Sequence, residues 1–582
     1  MPRSPRWSRT ALVAVTTIVV AACGGSSTAS PAASTAATAA APTAEAPSAP
    51  ASQAAFVGLS YPEVGDAPCG VPPYTGNMKK ITAVDEYTVE FQLCAPDPAF
   101  LPKVAFQVFG IQDADWLAAN APNKAYLDKP NGTGPYELVE WSKGNRMTFK
   151  AFDNYWGTKA LTPGLELRWS DEAAQRLLEL QSGNIDGMDN PGADDIANIQ
   201  ADSTLKFNVR APLNTFYLGF NNQLKPWTNE KIRQAIALGI NRKQIVDNFY
   251  PAGSEVATHF TPCNVPFGCE GDATWDFNLD QAKQLLAEGM AEEGITKLDT
   301  KLSFRNAVRG YLPDPPQVAT EIAAQLKQNL GINATLDLQE SGAFLDAAAA
   351  GTLPGLFMLG WGADYPDPTN FLDYHFGAGS GKKFGKPFDD IAAALQKGAT
   401  SLSDADRQAA YAEANGLIKQ HVPAVIIAHG ASGTAFKADV ENSHTSPLGN
   451  EVFAVMKAAD RDNLVFMQNA EPLSLYCGDE TDGESLRACA QVSEALYAYE
   501  VGGTKAVPAL AESCTPNDDA TIWTCTLRQG VTFHNGATLD ANDVVVSYAV
   551  QWDTKHPLHI GRSGAFEYWP GLWGGFLNPP AS

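Results

Sequence analysis

Basic residues are scarce in this chain relative to acidic ones. Its 582 residues include 41 Lys and Arg against 65 Asp and Glu, which gives a formal net charge of −24. Nucleic acids and anionic membrane surfaces attract proteins that carry basic patches, so this balance argues against both. We therefore expect no nucleic-acid partner.

The sequence also lacks the short motifs of common enzyme and metal sites. It contains no H-E-x-x-H, no G-x-S-x-G and no C-x-x-C. A stretch similar to a phosphate-binding loop, residues 377–383, has Phe376 where the first Gly belongs and Lys383 in place of Ser or Thr. A calcium-like loop at residues 478–483 starts with Gly478 instead of a ligand. We predict neither an enzyme nor a metal or cofactor site.

Long apolar runs are absent after the first 23 residues. Arg3, Arg6 and Arg9 precede an apolar stretch at residues 11–20 that is too short to span a bilayer. Small residues then lead to Cys23, which resembles a bacterial lipoprotein signal; an ordinary secretory peptide is the alternative. We expect residues 1–22 to be a signal peptide and Cys23 to carry lipid. The protein would then be anchored to the cytoplasmic membrane, on its outer side.

A low-complexity segment follows. Residues 23–54 are almost entirely Ala, Ser, Thr, Pro and Gly, a composition typical of a flexible linker. The remainder of the chain is long enough for two or three lobes with their own cores.

The cysteines fall into neighbouring pairs. Nine are present, and a lipid on Cys23 leaves eight. An even number in an exported protein indicates disulfides, so we expect four bridges, with the pairing left open. Grouped as neighbours along the chain, the pairs are Cys69 with Cys94, Cys263 with a cysteine expected at position 268, Cys477 with Cys489, and Cys514 with Cys525.

Residues 296–364 give the clearest pattern of secondary structure. Residues 302–305 alternate as a strand, and Pro315 and Pro316 open an amphipathic helix that Gly331 ends. A second alternating strand, an Ala-rich helix at 341–350 and an apolar strand at 356–361 follow. This β-α-β-α-β order predicts parallel strands, with ligands collecting beyond their carboxyl ends.

Other segments mix helix and strand. Residues 227–250 have apolar residues near helical spacing, and Asn278 is placed to cap a further helix. Residues 508–534 alternate as strands, and residues 539–550 are predicted to be helical. The fold class is therefore α/β.

Several blocks of the sequence are informative as a set. They are NGTGPYELVEW (131–141), FDNYWG (152–157), RLLELQSGNIDGM (176–188), YLGFNNQLKPW (217–227), KIRQAIALGINR (231–242), GWGADYPDPTNFL (360–372), NLVFMQNAEPLSL (463–475), ALAES (509–513) and LRQGVTFHNGATLDANDVVVSY (527–548). Together they resemble the family 5 extracytoplasmic solute-binding proteins of ABC importers, the dipeptide- and oligopeptide-binding type. In the family, the last three come first, so the chain resembles a circularly permuted member. The resemblance implies a two-lobed periplasmic-binding-protein-like fold of type II, with large lobes and an extra subdomain.

The resemblance also implies where the lobes and the ligand lie. Residues 55–252 with 440–582 would form the first lobe and its subdomain, and residues 253–439 the second. In peptide-binding relatives, the Asp of a Trp-x-x-Asp segment pairs with the ligand ammonium, which is Asp364 here. An Arg in an Arg-x-Tyr-x-Pro segment holds the carboxylate, which is Arg309 here.

Trp361 and Tyr365 flank Asp364 and complete the expected ligand site. A zwitterion enclosed in a cleft needs an opposite charge at each end, which fits the Asp364 and Arg309 roles. The alternatives are that Asp364 caps the Pro-rich turn and that Arg309 forms a surface ion pair. Two glycines, Gly132 and Gly134, are expected to permit unusual backbone angles beside Pro135.

The expected function is capture of di- or oligopeptides by lobe closure and delivery to an ABC permease in the membrane. A monomer is expected. Another solute, such as a nickel chelate or an oligosaccharide, is the alternative within the same role. A surface hydrolase is a rival of a different class, but we find no nucleophile–base pair or metal cluster in the sequence.

Overall fold

A computed structural model describes residues 56–307, 309–378 and 380–579. The predicted signal peptide, Cys23 and the linker lie outside these residues. The strands are β1 Ser60–Tyr61, β2 Met78–Asp85, β3 Thr88–Leu93, β4 Tyr136–Ser142, β5 Arg146–Ala151, β6 Gly164–Trp169, β7 Gly187–Asp189, β8 Leu205–Arg210, β9 Asn214–Phe220, β10 Glu255–Val256, β11 Asp299–Arg305, β12 Asn333–Gln339, β13 Leu356–Gly362, β14 Ala424–His429, β15 Ser432–Lys437, β16 Val440–Glu441, β17 Lys457–Ala458, β18 Asn463–Gln468, β19 Tyr497–Tyr499, β20 Ala506–Pro508, β21 Ala511–Pro516 and β22 Ile522–Leu527.

The helices of the same residues occur throughout the chain. They are α1 Phe100–Val104, α2 Ala114–Asn120, α3 Ala173–Gln181, α4 Ile196–Ala201, α5 Glu230–Gly239, α6 Arg242–Phe249, α7 Leu279–Glu293, α8 Pro315–Leu330, α9 Ser341–Ala349, α10 Tyr374–Phe376, α11 Asp389–Thr400, α12 Asp404–His421, α13 Gly483–Val492, α14 Ala541–Trp552 and α15 Tyr568–Trp573. A π-helical turn, Thr369–Asp373, leads directly into α10.

Three large sheets organise the strands. A five-stranded sheet has the order β1-β2-β3-β22-β21, and a seven-stranded sheet has the order β4-β5-β6-β18-β7-β15-β8. A six-stranded sheet has the order β10-β14-β9-β13-β11-β12. The tail of the chain thus contributes strands to the same two sheets as its front, because β18 lies between β6 and β7, and β22 pairs with β3.

The predicted β-α-β-α-β unit forms the parallel part of the six-stranded sheet. β11 pairs in parallel with both β12 and β13. The connecting helix α8 begins at Pro315, where the side chain of Asp314 accepts a hydrogen bond from the Gln317 N–H. It ends at Gly331, which has a φ of 69° that a Cβ would disfavour.

Alternation along the central strands gives this sheet an apolar layer on each face. Phe216, Leu218 and Phe220 of β9 point into one core with helices α5 and α8. Tyr217 points into the opposite core, with residues of α9, α11 and α12. The six-stranded sheet is therefore the centre of a three-layer lobe.

The chain passes between the two lobes twice. Residues 211–213 connect β8 of the seven-stranded sheet to β9 of the six-stranded sheet, and residues 430–431 connect β14 back to β15. The lobe boundaries that the sheets mark therefore differ from the expected 253 and 439. The difference arises because β9, α5 and α6 share the core of the six-stranded sheet, and β15 pairs with β7 and β8.

The role of Gly132 and Gly134 also differs from the expectation. Neither has a positive φ. Instead, a Cβ at Gly132 would lie 1.8 Å from the carbonyl oxygen of Val492, and the Gly134 N–H donates to that same oxygen at 3.0 Å. Close approach of the segment to the end of α13 is therefore the reason for glycine here.

Four disulfides are present, as the number of cysteines predicted, and each of them joins neighbours along the chain. They are Cys69–Cys94, Cys263–Cys269, Cys477–Cys489 and Cys514–Cys525. Cys514 and Cys525 face each other across the β21–β22 pair. None of these four bridges links the two lobes, so within the described residues the covalent connections between them are the two short segments.

One of the expected cysteine positions is wrong by one residue. Position 268 is occupied by Gly268, and the cysteine that bridges to Cys263 is Cys269, with 5.0 Å between the two Cα atoms. The Gly268 N–H donates to the Val265 carbonyl at 2.9 Å, and a Cβ at this position would lie 2.4 Å from the Pro262 carbonyl oxygen. The tight turn after Cys263 therefore requires a residue without a side chain at 268, and the bridging cysteine follows it.

Candidate functional site

A cavity of about 620 Å³ lies between the carboxyl ends of the six-stranded sheet and helix α15 of the first lobe. Arg305 at the end of β11 and Trp361 near the end of β13 form part of its wall. Tyr568 and Leu572 of α15 lie on the other side. The cavity is thus located where parallel sheets collect ligands, with both lobes contributing.

Asp364 follows β13 by two residues and lines this cavity. Its position is fixed by Asn370, which donates from Nδ2 to Asp364 Oδ2 at 2.8 Å and accepts from the Asp364 N–H at 3.0 Å. Burial raises the pKa of the Asp364 carboxyl to about 6, and hydrogen bonds from Asn370 and Tyr568 oppose the shift in part. Among the described residues, no basic side chain forms an ion pair with Asp364. Its charge is therefore available to a cationic ligand group.

Trp361 lies beside Asp364 through the same asparagine. Its Nε1 donates to Asn370 Oδ1 at 3.2 Å, and its indole stacks on the Tyr374 ring with centroids 4.2 Å apart. The stack and the hydrogen bond fix the orientation of the indole along the cavity wall. The structure therefore brings Trp361 and Asp364 together on the wall of one cavity.

Tyr365 does not share this position. Its side chain is 3 % exposed and packs in the core of the first lobe, outside the cavity lining. Its hydroxyl lies 3.0 Å from Thr369 Oγ1, and the Lys103 ammonium is 5.8 Å from its ring centroid. The neighbouring Asp364 lines the cavity, whereas Tyr365 packs into the core. The environment of Tyr365 therefore indicates a packing role in the core of the first lobe.

Arg309 lies in a smaller adjoining cavity of about 380 Å³ at the connections between the lobes. Its backbone N–H and carbonyl form a pair of hydrogen bonds with Leu312 that closes a tight turn, and the residue is exposed. Tyr311 and Gly362 line both cavities. The structure thus places Arg309 in a different cavity from Asp364 but next to it.

Several cavity residues were not among the predicted ones. Arg305 is the last residue of β11, and its Nη2 lies 3.4 Å from the Tyr311 hydroxyl. The rule that ligands gather at strand ends would have selected it. Tyr568 comes from the other lobe, far along the chain, and no local pattern marks it. Lys383 belongs to the phosphate-loop-like stretch, whose pattern does not predict a place in this cavity.

The calcium-like loop at residues 478–483 makes contacts with a neighbouring segment of the same lobe. The Asp479 carboxylate accepts hydrogen bonds from the backbone N–H groups of Ser563, Gly564 and Phe566, and Glu480 pairs with Arg562 at 2.7 Å. His259 lies close to Cys263 and Cys269, whose sulfurs are joined in a disulfide. The calcium-like loop therefore anchors a neighbouring segment of the first lobe.

Within residues 56–307, 309–378 and 380–579, none of the helices is long and apolar enough to cross a membrane.

Comparisons with known proteins agree with this architecture. The model of the bacterial extracellular solute-binding proteins, family 5 middle, matches residues 27–383 and 505–564. The dipeptide-binding protein of Escherichia coli K12 is 30% identical over 396 residues, which cover 66% of this chain and 72% of that protein.

Solved structures are similar in the same way. HbpA2 from Haemophilus parasuis has a TM-score of 0.57 and 26% identity, over 64% of this chain and 74% of that one. The dipeptide-binding protein from Pseudoalteromonas sp. SM9913, solved in complex with Met-Leu, has a TM-score of 0.56 and 22% identity, over 66% of this chain and 76% of that one. The fold is thus the two-lobed α/β fold of periplasmic binding proteins. The matched segments exceed half of the chain, and the chain belongs to the family 5 bacterial extracellular solute-binding proteins.

Proposed function

We propose that this protein captures peptides outside the cytoplasmic membrane and delivers them to an ABC permease, while a lipid on Cys23 keeps it at the membrane. The peptide binds between the two lobes in the cavity that Asp364 lines. The short connections at residues 211–213 and 430–431 allow the lobes to close over it by a hinge motion.

The observation that carries the proposal is the desolvated carboxylate of Asp364. It faces a cavity large enough for a small solute, is fixed by Asn370, and is not neutralised by any described basic side chain. A buried carboxylate is unfavourable unless a cation pairs with it. The α-ammonium of a peptide supplies that cation and donates hydrogen bonds to it.

Arg309 supports the assignment of a zwitterion. It lies in the adjoining cavity, which shares Tyr311 and Gly362 with the first. A peptide that binds Asp364 with its ammonium and extends past these two residues would reach the guanidinium with its carboxylate. The separation of the two charges would then select for peptide length.

The relatives support the same class of solute. The Escherichia coli relative is a dipeptide-binding protein, and the Pseudoalteromonas structure holds Met-Leu. The alternative is the same receptor role for a solute without an ammonium group, such as an oligosaccharide. Such a solute would donate only neutral hydrogen bonds to Asp364 and would leave its charge unpaired.

Calorimetric titration of the full chain with neutral dipeptides tests the proposal. We expect binding to wild type and a loss of about 100-fold or more in Asp364→Asn, because about 3 kcal/mol of a charged hydrogen bond is removed. N-acetylated dipeptides should bind wild type as weakly as free dipeptides bind the variant. Unchanged affinity in Asp364→Asn, or tight binding of the acetylated peptides, would contradict the proposal.

A further inference from the structure

Lys383 presents a second charge to the same cavity. It lies in a short 3₁₀ turn, Lys382–Phe384, that follows α10, and its side chain lines the cavity with Arg305 and Asp364. Lys383 is partly buried, whereas its neighbour Lys382 is exposed. Of the two adjacent lysines, one therefore faces the proposed solute and the other faces water.

Among the described residues, the ammonium of Lys383 has no anionic partner. Across the part of the chain that the structure describes, it forms neither an ion pair nor a hydrogen bond. Its closest described interaction is with the face of Tyr374, whose ring centroid is 5.8 Å from Nζ. Burial lowers the pKa of Lys383 to about 8, so the side chain is still mostly charged at neutral pH.

The other charged residues of the cavity do not neutralise it. Asp346 of α9 and Glu567 before α15 also line the cavity, and both are exposed. Neither pairs with Lys383, although a four-carbon side chain at the rim of a cavity could turn toward solvent or toward a carboxylate. A partly desolvated ammonium without an acceptor is unfavourable in the empty protein, and an anion in the cavity would relieve this cost.

A chain of contacts connects Lys383 to the ammonium end of the proposed site. Lys383 lies over Tyr374, Tyr374 stacks on Trp361, and Trp361 shares the side chain of Asn370 with Asp364. Arg309 lies in the other cavity. If the α-carboxylate of the peptide lies at Arg309, as proposed above, the group that reaches Lys383 comes from the residue that carries the free ammonium.

We propose that Lys383 binds a side-chain carboxylate on the first residue of the solute, so that the receptor prefers peptides beginning with Glu or Asp. This inference rests on the proposed peptide-binding function and names the substrate class of the same site. Lys383 is thus a specificity-determining residue.

Titration with Glu-Ala and Gln-Ala tests the inference, because the two dipeptides have nearly the same shape and differ in one charge. Wild type should bind Glu-Ala at least about tenfold more tightly, the value expected of one charged hydrogen bond. Lys383→Met should reduce the ratio of the two affinities to about one and leave Gln-Ala binding within about twofold. Lys382→Met is the matched control and should keep the wild-type ratio.

If wild type binds Glu-Ala and Gln-Ala equally tightly, the inference about Lys383 is overturned and the peptide function is unaffected. The same holds if the ratio of the two affinities is unchanged in Lys383→Met. If wild type binds neither dipeptide, glutarate, a dicarboxylate without an ammonium, distinguishes the two proposals. Glutarate binding that Lys383→Met abolishes would retain the anion site and reject peptide binding. No glutarate binding would reject both. Lys383→Gln, which keeps a polar side chain, guards against a variant that fails to fold.

Discussion

Binding of a neutral dipeptide should weaken about tenfold when the pH falls from 7 to 5, because Asp364 takes up a proton. With a pKa of about 6, the carboxyl of the empty protein is about nine-tenths ionised at pH 7 and about one-tenth ionised at pH 5. The α-ammonium and α-carboxylate of the peptide keep their charges over this range. Because only the ionised carboxyl pairs with the ammonium, we expect the bound protein to hold its pKa below 5. The affinity then follows the ionised fraction of the empty site.

The direction of the effect follows from proton linkage. A bound ammonium lowers the pKa of Asp364, so binding releases a proton below about pH 6 and becomes less favourable as the pH falls. Titrations at pH 5, 6 and 7 in buffers of different ionisation enthalpy would measure both the affinity and the released proton. Glu494 and Asp543 also have pKa values raised to about 7 by burial, but they lie away from the cavity.

Asp364→Asn is the matched control, since it keeps the size of the side chain and removes its titration. Its residual affinity should be independent of pH, and its melting temperature without ligand should be no lower than that of wild type, because a desolvated charge is removed. A pH dependence that persists in this variant would refute the assignment of the titrating group. A wild-type affinity that is the same at pH 5 and pH 7 would refute the ammonium contact itself.

Three further predictions concern other parts of the molecule. Arg309→Ala should weaken dipeptides with a free carboxylate more than C-terminally amidated ones, and an equal loss in calorimetric titrations would argue against a carboxylate contact. Arg487→Leu should lower the free energy of unfolding, measured in urea, by about 3–5 kcal/mol. The reason is that the buried carboxylates of Asp189 and Glu451 lose one of the two arginines that pair with them. In the control Lys143→Leu, which removes an exposed ion pair, the free energy of unfolding should fall by less than about 1 kcal/mol. Reduction should lower the melting temperature, and thiol titration of the native residues 56–579 should give a value near zero.

The parallel unit of the second lobe could be predicted because its signals are local. Pro315 and Pro316 mark the start of α8, Gly331 marks its end, and the apolar spacing between them follows one helix face. Those elements in turn placed Asp364 beyond the end of a strand. The periodicity of the sequence is enough to predict the bounds of α8 and the place of Asp364, because neither depends on contacts with the other lobe.

The boundary between the lobes could not be predicted in the same way. β9 is buried at nearly every position, so its pattern indicates a central strand but does not say in which sheet. The cavity wall formed by Tyr568 depends on how α15 packs across the cleft. Lys383 belongs to no motif, and its importance comes from what surrounds it in space rather than from its neighbours in sequence.

The order of the segments is a separate question, and the circular permutation stays a prediction that the contacts of the first lobe favour. In a permuted chain, the segments on either side of the new break would be continuous in the usual order of the family, so they are expected to lie close together. Here Asp553 accepts a hydrogen bond from the Tyr61 hydroxyl at 2.5 Å and from Asn578 Nδ2 at 2.8 Å. Tyr61 lies five residues after the first described residue, and Asn578 is the last but one. The segments that contain Tyr61 and Asn578 therefore meet at the carboxylate of Asp553. The strands β18 and β22 occupy inner positions in sheets whose other strands include β1 to β8. Packing in these sheets depends on which strands are adjacent in space. This adjacency does not depend on the order in which the segments follow one another along the chain.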